Sequence, residues 1–158
     1  MIIIGIDPGT TTVGYAISKK EGNSISLIDY GIIKTIPKID NALKLLEIGT
    51  DLKVLIEKHN PDLACIEKLY FTNNIKTGMS VSEARGVIIY EFMKNNIEII
   101  EYTPLEVKKY IAGNGKATKQ QIQNAIKIFF KLDEVPKPDD VADAIAISYL
   151  GALSLKNT

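Results

Sequence analysis

The sequence has one cysteine, one histidine, no net charge and no long apolar run, and each shortage removes a class of function. Cys65 has no intrachain partner, which excludes a disulfide scaffold, and its place in the run LACIE reads as a buried thiol rather than a reactive one. Lysine plus arginine equals aspartate plus glutamate at 19 each, so the whole molecule exerts no steering field and any attraction for a charged partner must be local. The opening MIIIGIDPG has no basic leader, no small-residue cleavage site and far fewer than the roughly 18 apolar residues of a membrane span, so a cytoplasmic location without membrane contact is the expectation. His59 follows Lys58 at a helix C-terminus, where a surface role compensating the helix dipole is expected. No low-complexity stretch interrupts the chain.

What is there suits one domain spanning residues 1–158, with 46% hydrophobic residues to build a core. Residues 2–6, 12–18 and 24–34 read as strands separated by the turn chemistry of Asp7-Pro8-Gly9 and Glu21-Gly22-Asn23, and such short connections make an antiparallel meander. From Asn41 to His59 the apolar period becomes helical, with Ala42, Leu45, Leu46, Leu52, Leu55 and Ile56 on one stripe. A buried strand DLACIE follows, then the loop KLYFTNN, a helix near 79–94, the strand IEIIEY, a helix from Pro104 and two more near 118–131 and 138–154. Helices between the last strands make those strands parallel, with right-handed crossovers. The fold expected is α/β: a mixed five-stranded sheet, three strands antiparallel and two parallel, with helices on both faces.

Two of the apolar runs end in an acid, IIIGID in Asp7 and LACIE in Glu67. If these strands lie parallel and adjacent, both carboxylates fall at one sheet edge. Near the C-terminus PDDVADAIAISY offers Asp139, Asp140 and Asp143, and spacings of three and four put Asp143 on one helix face with either neighbour. Asp139 also suits a helix N-cap. Four carboxylates in one pocket are costly unless divalent cations neutralise them. Oxygen ligands without nearby His or Cys point to magnesium, with manganese possible. Two such ions about 4 Å apart can activate a water and stabilise the leaving oxygen in phosphodiester hydrolysis. A basic stripe complements this acidic pocket, since six lysines and no acid lie between Val107 and Lys131. Within it GNGKATK supplies glycines, backbone donors and a following helix N-terminus for phosphate.

Taken in order, IGIDPGTTTVGYAI, IEKLYFTNN, SEARGVI, YTPLEVKKYIAGNGKATKQQI and PDDVADAIAISY resemble the RuvC family of bacterial Holliday junction resolvases over nearly the whole chain. The resemblance implies a ribonuclease H-like fold, a homodimer, four-way junction DNA as substrate and magnesium as cofactor, two ions per active site. It places the family's four acids on Asp7, Glu67, Asp140 and Asp143, which selects Asp140 over Asp139. It places a junction-stacking aromatic on Tyr70, with Phe71 beside it. Lysines near the scissile strand correspond to Lys108 and Lys119, with Lys116 between them as a further DNA contact, and Lys119 is expected to stabilise charge at the phosphate. Products with a 5′-phosphate and a 3′-hydroxyl and cooperation with the RuvA–RuvB branch-migration motor are implied in the same way.

Two-fold symmetry would account for paired cuts. The helix MSVSEARGVIIYEFM is the expected interface, because Val81, Ala84, Val87, Ile88 and Met93 exceed what one stripe against the sheet requires. Three rival readings are weaker. The nearest is a ribonuclease H-like relative that processes other nucleic acids such as RNA, against which the aromatic LYF and the GNGKATK block favour the resolvase. DPGTTTVGYAI also resembles the phosphate-binding hairpin of sugar-kinase and actin-like ATPases, but those need two such domains, which 158 residues do not hold. A non-catalytic junction-binding module would not need the four acids. Gly9 and Gly14 are read as serving hairpin geometry.

Overall fold

The structure, a computed structural model, describes residues 1–69 and 75–155. Its elements run β1 (Ile2–Asp7), β2 (Thr12–Glu21), β3 (Ser24–Lys34), α1 (Asn41–His59), β4 (Leu63–Glu67), α2 (Ile75–Lys94), β5 (Glu98–Tyr102), α3 (Pro104–Ala112), α4 (Lys119–Phe129) and α5 (Asp139–Ser154). The strands form one sheet in the order β3-β2-β1-β4-β5. β1 and β2, and β2 and β3, pair antiparallel, whereas β4 is parallel to both β1 and β5. This is the mixed five-stranded sheet expected from the sequence, and β4 joins β1 directly because the α1 crossover returns the chain past the meander. Among the described residues no helix is long and apolar enough to cross a membrane.

The pleat assigns the side chains to two cores. Successive residues of a strand point to opposite faces, so Ile4, Ile6, Ala64 and Ile66 pack on one side with Ile48, Leu52, Ala84, Ile88 and Phe92 of α1 and α2. Ile3, Leu63 and Cys65 pack on the other side with α5 and with Val107, Ile111, Ile122 and Ile126 of α3 and α4. Helices therefore cover both faces. By the same alternation Asp7 and Glu67 continue the odd-numbered row and belong to the α5 face.

Small residues let α5 press against the sheet. A Cβ on Gly5 of β1 would come within 2.5 Å of the Ser148 backbone nitrogen and 2.7 Å of its Cβ, and a side chain on Gly151 would collide with the Cys65 thiol. Ser18 and Ser148, both buried, satisfy each other across this contact at 2.8 Å, so neither hydroxyl is left without a partner in the core. Burial alone pushes the Cys65 thiol up to about 12, which fits the inert thiol expected. Accordingly, a thiol reagent should modify Cys65 only at the rate of global unfolding, whereas fast stoichiometric labelling of the native protein would contradict this packing.

His59 departs from the surface role expected of it. Its side chain is only about 10% exposed, and Nε2 lies 2.9 Å from Asp29 Oδ2, which also accepts from Lys58 Nζ at 2.8 Å. A strand acid thus ties the end of α1 to β3.

Candidate active site

Three elements bring acids to one end of the sheet. Asp7 is the last residue of β1 and Glu67 the last of β4, and the parallel register Ile6↔Ile66 ends one residue before them. Asp140 and Asp143 lie in the first and second turns of α5, whose N-terminus reaches the sheet beside Asp7. Gly14 makes that approach possible. It is the register partner of Asp7 on β2, and a Cβ there would fall 2.5 Å from the Asp140 carbonyl carbon and 3.1 Å from its Cβ. Gly14 is therefore a seat for the helix and not part of a hairpin turn, a correction to its sequence reading. A Cβ on Gly9 would instead meet Thr12, as a tight turn requires.

The carboxylates act on one another. Asp7 is raised to about 8, chiefly by burial and then by the charges of Glu67, Asp143 and Asp140, with Lys119 opposing. Glu67 is raised by burial and by Asp143, against the pull of Lys119 and Lys108. Burial also raises Asp143; Lys119 pulls it down, and Asp139 and Asp140 push it further up. Asp7 thus responds to all three partners expected from the sequence, which places the four acids in one electrostatic neighbourhood.

Two capped helices supply the opposing charge. Thr103 and Glu106 form a capping box at α3, with Pro104 in the first turn, and this sets Lys108 toward the acids. Thr118 and Gln121 form a second box, which fixes Lys119 as the first residue of α4. A cleft of about 230 Å³ between these helices and the sheet is lined by Glu67, Pro104, Val107, Lys108, Lys119, Ile122 and Asp143. Lys119 Nζ lies 3.2 Å from Asp143 Oδ2 and 3.1 Å from Asp139 Oδ2. Burial works against the charge of Lys119, but its bonds to Asp139 and Asp143 outweigh this and raise its pKa. Lys116 lies in the turn before α4, its backbone N–H donating to Asn114 Oδ1 at 2.9 Å, and it is exposed and not part of the cleft lining.

Asp139 is not the helix cap considered for it. Pro138 occupies the N-cap with no side-chain hydrogen bond, and Asp139 instead accepts from Gln123 Nε2 at 3.1 Å through Oδ1 while holding Lys119 through Oδ2. Sequence reading missed Gln123 altogether. The available signal was spacing, since Gln123 lies four residues after Lys119 on the same face of α4. Tyr70 and Phe71 lie outside the described residues.

The donor set fits hard divalent cations by type and by charge, with four carboxylates, three of them raised by burial and mutual repulsion. Among the described residues no three His, Cys, Asp or Glu side chains stand together as a formed coordination shell. Among the described residues, the ammonium of Lys119 is the cation in contact with Asp143.

These shifts have a direct consequence for stability. A carboxyl whose folded pKa lies above its unfolded value favours the fold fully below the unfolded value, near 4, and loses that contribution as pH rises through the folded value. Cation-free protein should therefore lose thermal stability between about pH 4 and pH 8. Magnesium should raise the Tm at pH 8 and much less at pH 5. Thermal scans at several pH values check this, and a magnesium effect independent of pH would contradict it.

The helix expected at a dimer interface is split in its use. Ala84 and Ile88 are fully buried in the core beneath α2 and so are unavailable to a partner. Met79, Tyr90 and Met93 are exposed, and Val87 and Tyr90 line an apolar groove of about 430 Å³ with Leu45, Leu46 and Gly49 of α1.

Comparison with known proteins places this arrangement. The family model for crossover junction endodeoxyribonuclease RuvC matches residues 3–150. A Halothermothrix orenii protein described as crossover junction endodeoxyribonuclease RuvC is 49% identical over 148 residues, covering 94% of this chain and 90% of its own. A Petrotoga mobilis protein of the same description is 46% identical over 149 residues, covering 94% and 91%. Among solved structures, T. thermophilus RuvC in complex with Holliday junction substrate superposes with a TM-score of 0.88 at 26% identity, over 94% of this chain and 90% of that one. A fowlpox virus resolvase crystallised with Holliday junction DNA shares the fold, with a TM-score of 0.64 at 20% identity over 97% and 99% of the two chains.

Proposed function

The chain belongs to the RuvC family of crossover junction endodeoxyribonucleases, and on that premise we propose that it resolves four-way DNA junctions by paired, symmetric nicks. The observation that carries this reading is the meeting of Asp7, Glu67, Asp140 and Asp143, from three parts of the chain, at one electrostatic site. Similarity to a RuvC solved with its junction substrate supports the choice of DNA.

In this reading the four acids hold two divalent cations, magnesium in preference, at the scissile phosphate. Bound there, the cations supply Lewis acidity and activation of water for hydrolysis, leaving a 5′-phosphate and a 3′-hydroxyl. Asp7 is the half-buried anchor of the set, whose charge Lys119 offsets only in part. Lys119 and Lys108 approach from the cleft wall and bear on the phosphate, and Lys119 stabilises the charge that develops there. Lys116 contacts the backbone further along, while Tyr70 or Phe71 stacks on an unpaired base. The neutral whole and the local lysine stripe together make recognition short-ranged and salt-sensitive. Junction affinity should therefore fall with salt, and Lys108→Ala or Lys116→Ala should each lower the log–log slope by about one; an unchanged slope would remove that lysine from the interface.

A homodimer would present two equal sites to a junction of matching symmetry. The exposed apolar rim of α1 and α2 is its seat in this reading, and the work is done in the cytoplasm beside the RuvA–RuvB motor. The direct test mixes the protein with a synthetic four-way junction and magnesium. Paired nicks at symmetric positions, religatable because of their end chemistry, are expected. Tight binding without nicks would leave only a junction-binding module.

A further inference from the structure

Lys119 is an unusual residue for its position. A cation at the first residue of a helix opposes the helix dipole, and a lysine side chain carries much rotamer freedom that must be lost if its ammonium is to act from one place. The structure offsets both through Asp139. This acid opens α5, where negative charge is favoured, and each of its oxygens meets a partner from α4: Gln123 Nε2 at 3.1 Å on Oδ1 and Lys119 Nζ at 3.1 Å on Oδ2. Gln123 sits one turn after Lys119 on α4, so the two residues of one helix grip the same carboxylate of another. The ammonium is then shared between an outer acid, Asp139, which is 61% exposed, and an inner one, Asp143, which is 32% exposed.

We propose that Asp139, oriented by Gln123, is a positioning residue that holds Lys119 at the mouth of the cleft and keeps its ammonium from settling wholly on Asp143. This deepens the nuclease reading and rests on it where it concerns cleavage. The chemistry is competition for one carboxylate. Asp143 Oδ2 is the oxygen that Lys119 touches, and a divalent cation entering the site needs the same carboxylate. With Asp139 present, Lys119 has a second anion to lean on when the cation arrives. Without it, the ammonium has Asp143 alone, and the cation must displace a fully committed partner. Asp140, Glu67 and Asp7 face the same region and attract any cation regardless of Asp139, so a loss of general negative potential must be separated from a loss of the Lys119 anchor.

A double-mutant cycle separates them. In full-length protein, Asp139→Ala should raise the magnesium concentration for half-maximal junction nicking by about threefold to tenfold, with the rate at saturating magnesium recovered to within about twofold. Asp139→Asn keeps an acceptor for Gln123 but no charge, and should behave like the alanine variant; Asp139→Glu should restore much of the wild-type midpoint. In a Lys119→Ala background, Asp139→Ala should leave the magnesium midpoint unmoved. The four proteins of the cycle are also titrated with magnesium chloride in thermal scans without DNA, where the midpoint of the Tm rise should shift in the same pattern. An equal shift with and without Lys119, or no shift in either background, overturns the proposal. If the wild type fails to nick junctions, the nuclease reading falls while the thermal cycle still decides whether Asp139 acts through Lys119.

Discussion

Replacing Asp7 by asparagine is expected to lower junction nicking by at least about a thousandfold, to leave junction binding within about twofold, and to make the cation-free protein more stable. The three effects share one cause. Asp7 lies at the end of β1 on the α5 face, half-buried and repelled by Glu67, Asp143 and Asp140, and its pKa is raised to about 8. Keeping its carboxylate ionised in those surroundings therefore works against the fold, and the penalty grows as pH rises from the unfolded pKa toward the folded one. Asparagine has nearly the same shape and no charge. A gain in Tm at pH 8 of about 2–4 °C for each kcal/mol of relieved repulsion is the scale expected for a chain of this length, fading toward pH 4 where the wild-type carboxyl is already protonated. Nicking assays, binding isotherms and thermal scans on the one variant read all three. Loss of activity accompanied by a lower Tm at pH 8 would mean that Asp7 supports the fold and not the chemistry.

Gly14→Ala is the second large effect. The added Cβ meets Asp140 backbone atoms at 2.5 Å, and backbone of a buried helix cannot swing aside as a side chain can. Either α5 lifts from β2 or the strand bends. Overpacking of this kind costs about 1–3 kcal/mol, a fall of roughly 2–12 °C in Tm. The larger consequence is functional, because the part of α5 that moves carries Asp140 and Asp143. A displacement near 1 Å in such a site costs on the order of a hundredfold in rate. Gly5→Ala provides the comparison: it strikes the same helix at Ala144, the residue after Asp143, and at Ser148, and not at Asp140 itself, and should be at least as destabilising with a smaller loss per degree of Tm. Equal activity of Gly14→Ala and wild type would show that the helix end adjusts freely and that the glycine does not seat the acids.

Much of this was legible in the chain because it depends on local pattern. IIIGID and LACIE are apolar runs that end in acids, and the period-two rule alone puts Asp7 and Glu67 on the same face once β1 and β4 are neighbours. Thr103-Pro104 and Thr118 announce the helices that carry Lys108 and Lys119 by their capping chemistry. What was not legible depends on contacts between distant elements. Gly14 reads as one more turn glycine until α5 is laid across β2. Asp139 reads as a cap until Gln123 and Lys119 arrive from α4 to claim both its oxygens. His59 reads as a surface residue until Asp29 of β3 is found beside it. Ala84 and Ile88 read as partner-facing if one amphipathic stripe is enough for the sheet, whereas α2 packs on both the sheet and α1 and consumes them. In each case a short motif had two readings, and only the tertiary neighbour chose between them.

The central claim is that acids from β1, β4 and α5 hold divalent cations together, and crystals soaked in manganese test it most directly. Anomalous density between Asp7, Glu67, Asp140 and Asp143, with Asp7 in contact and the peak lost in Asp7→Asn, is the predicted result. Manganese bound elsewhere on the surface, with Asp7 turned away from the other three acids, would contradict the account.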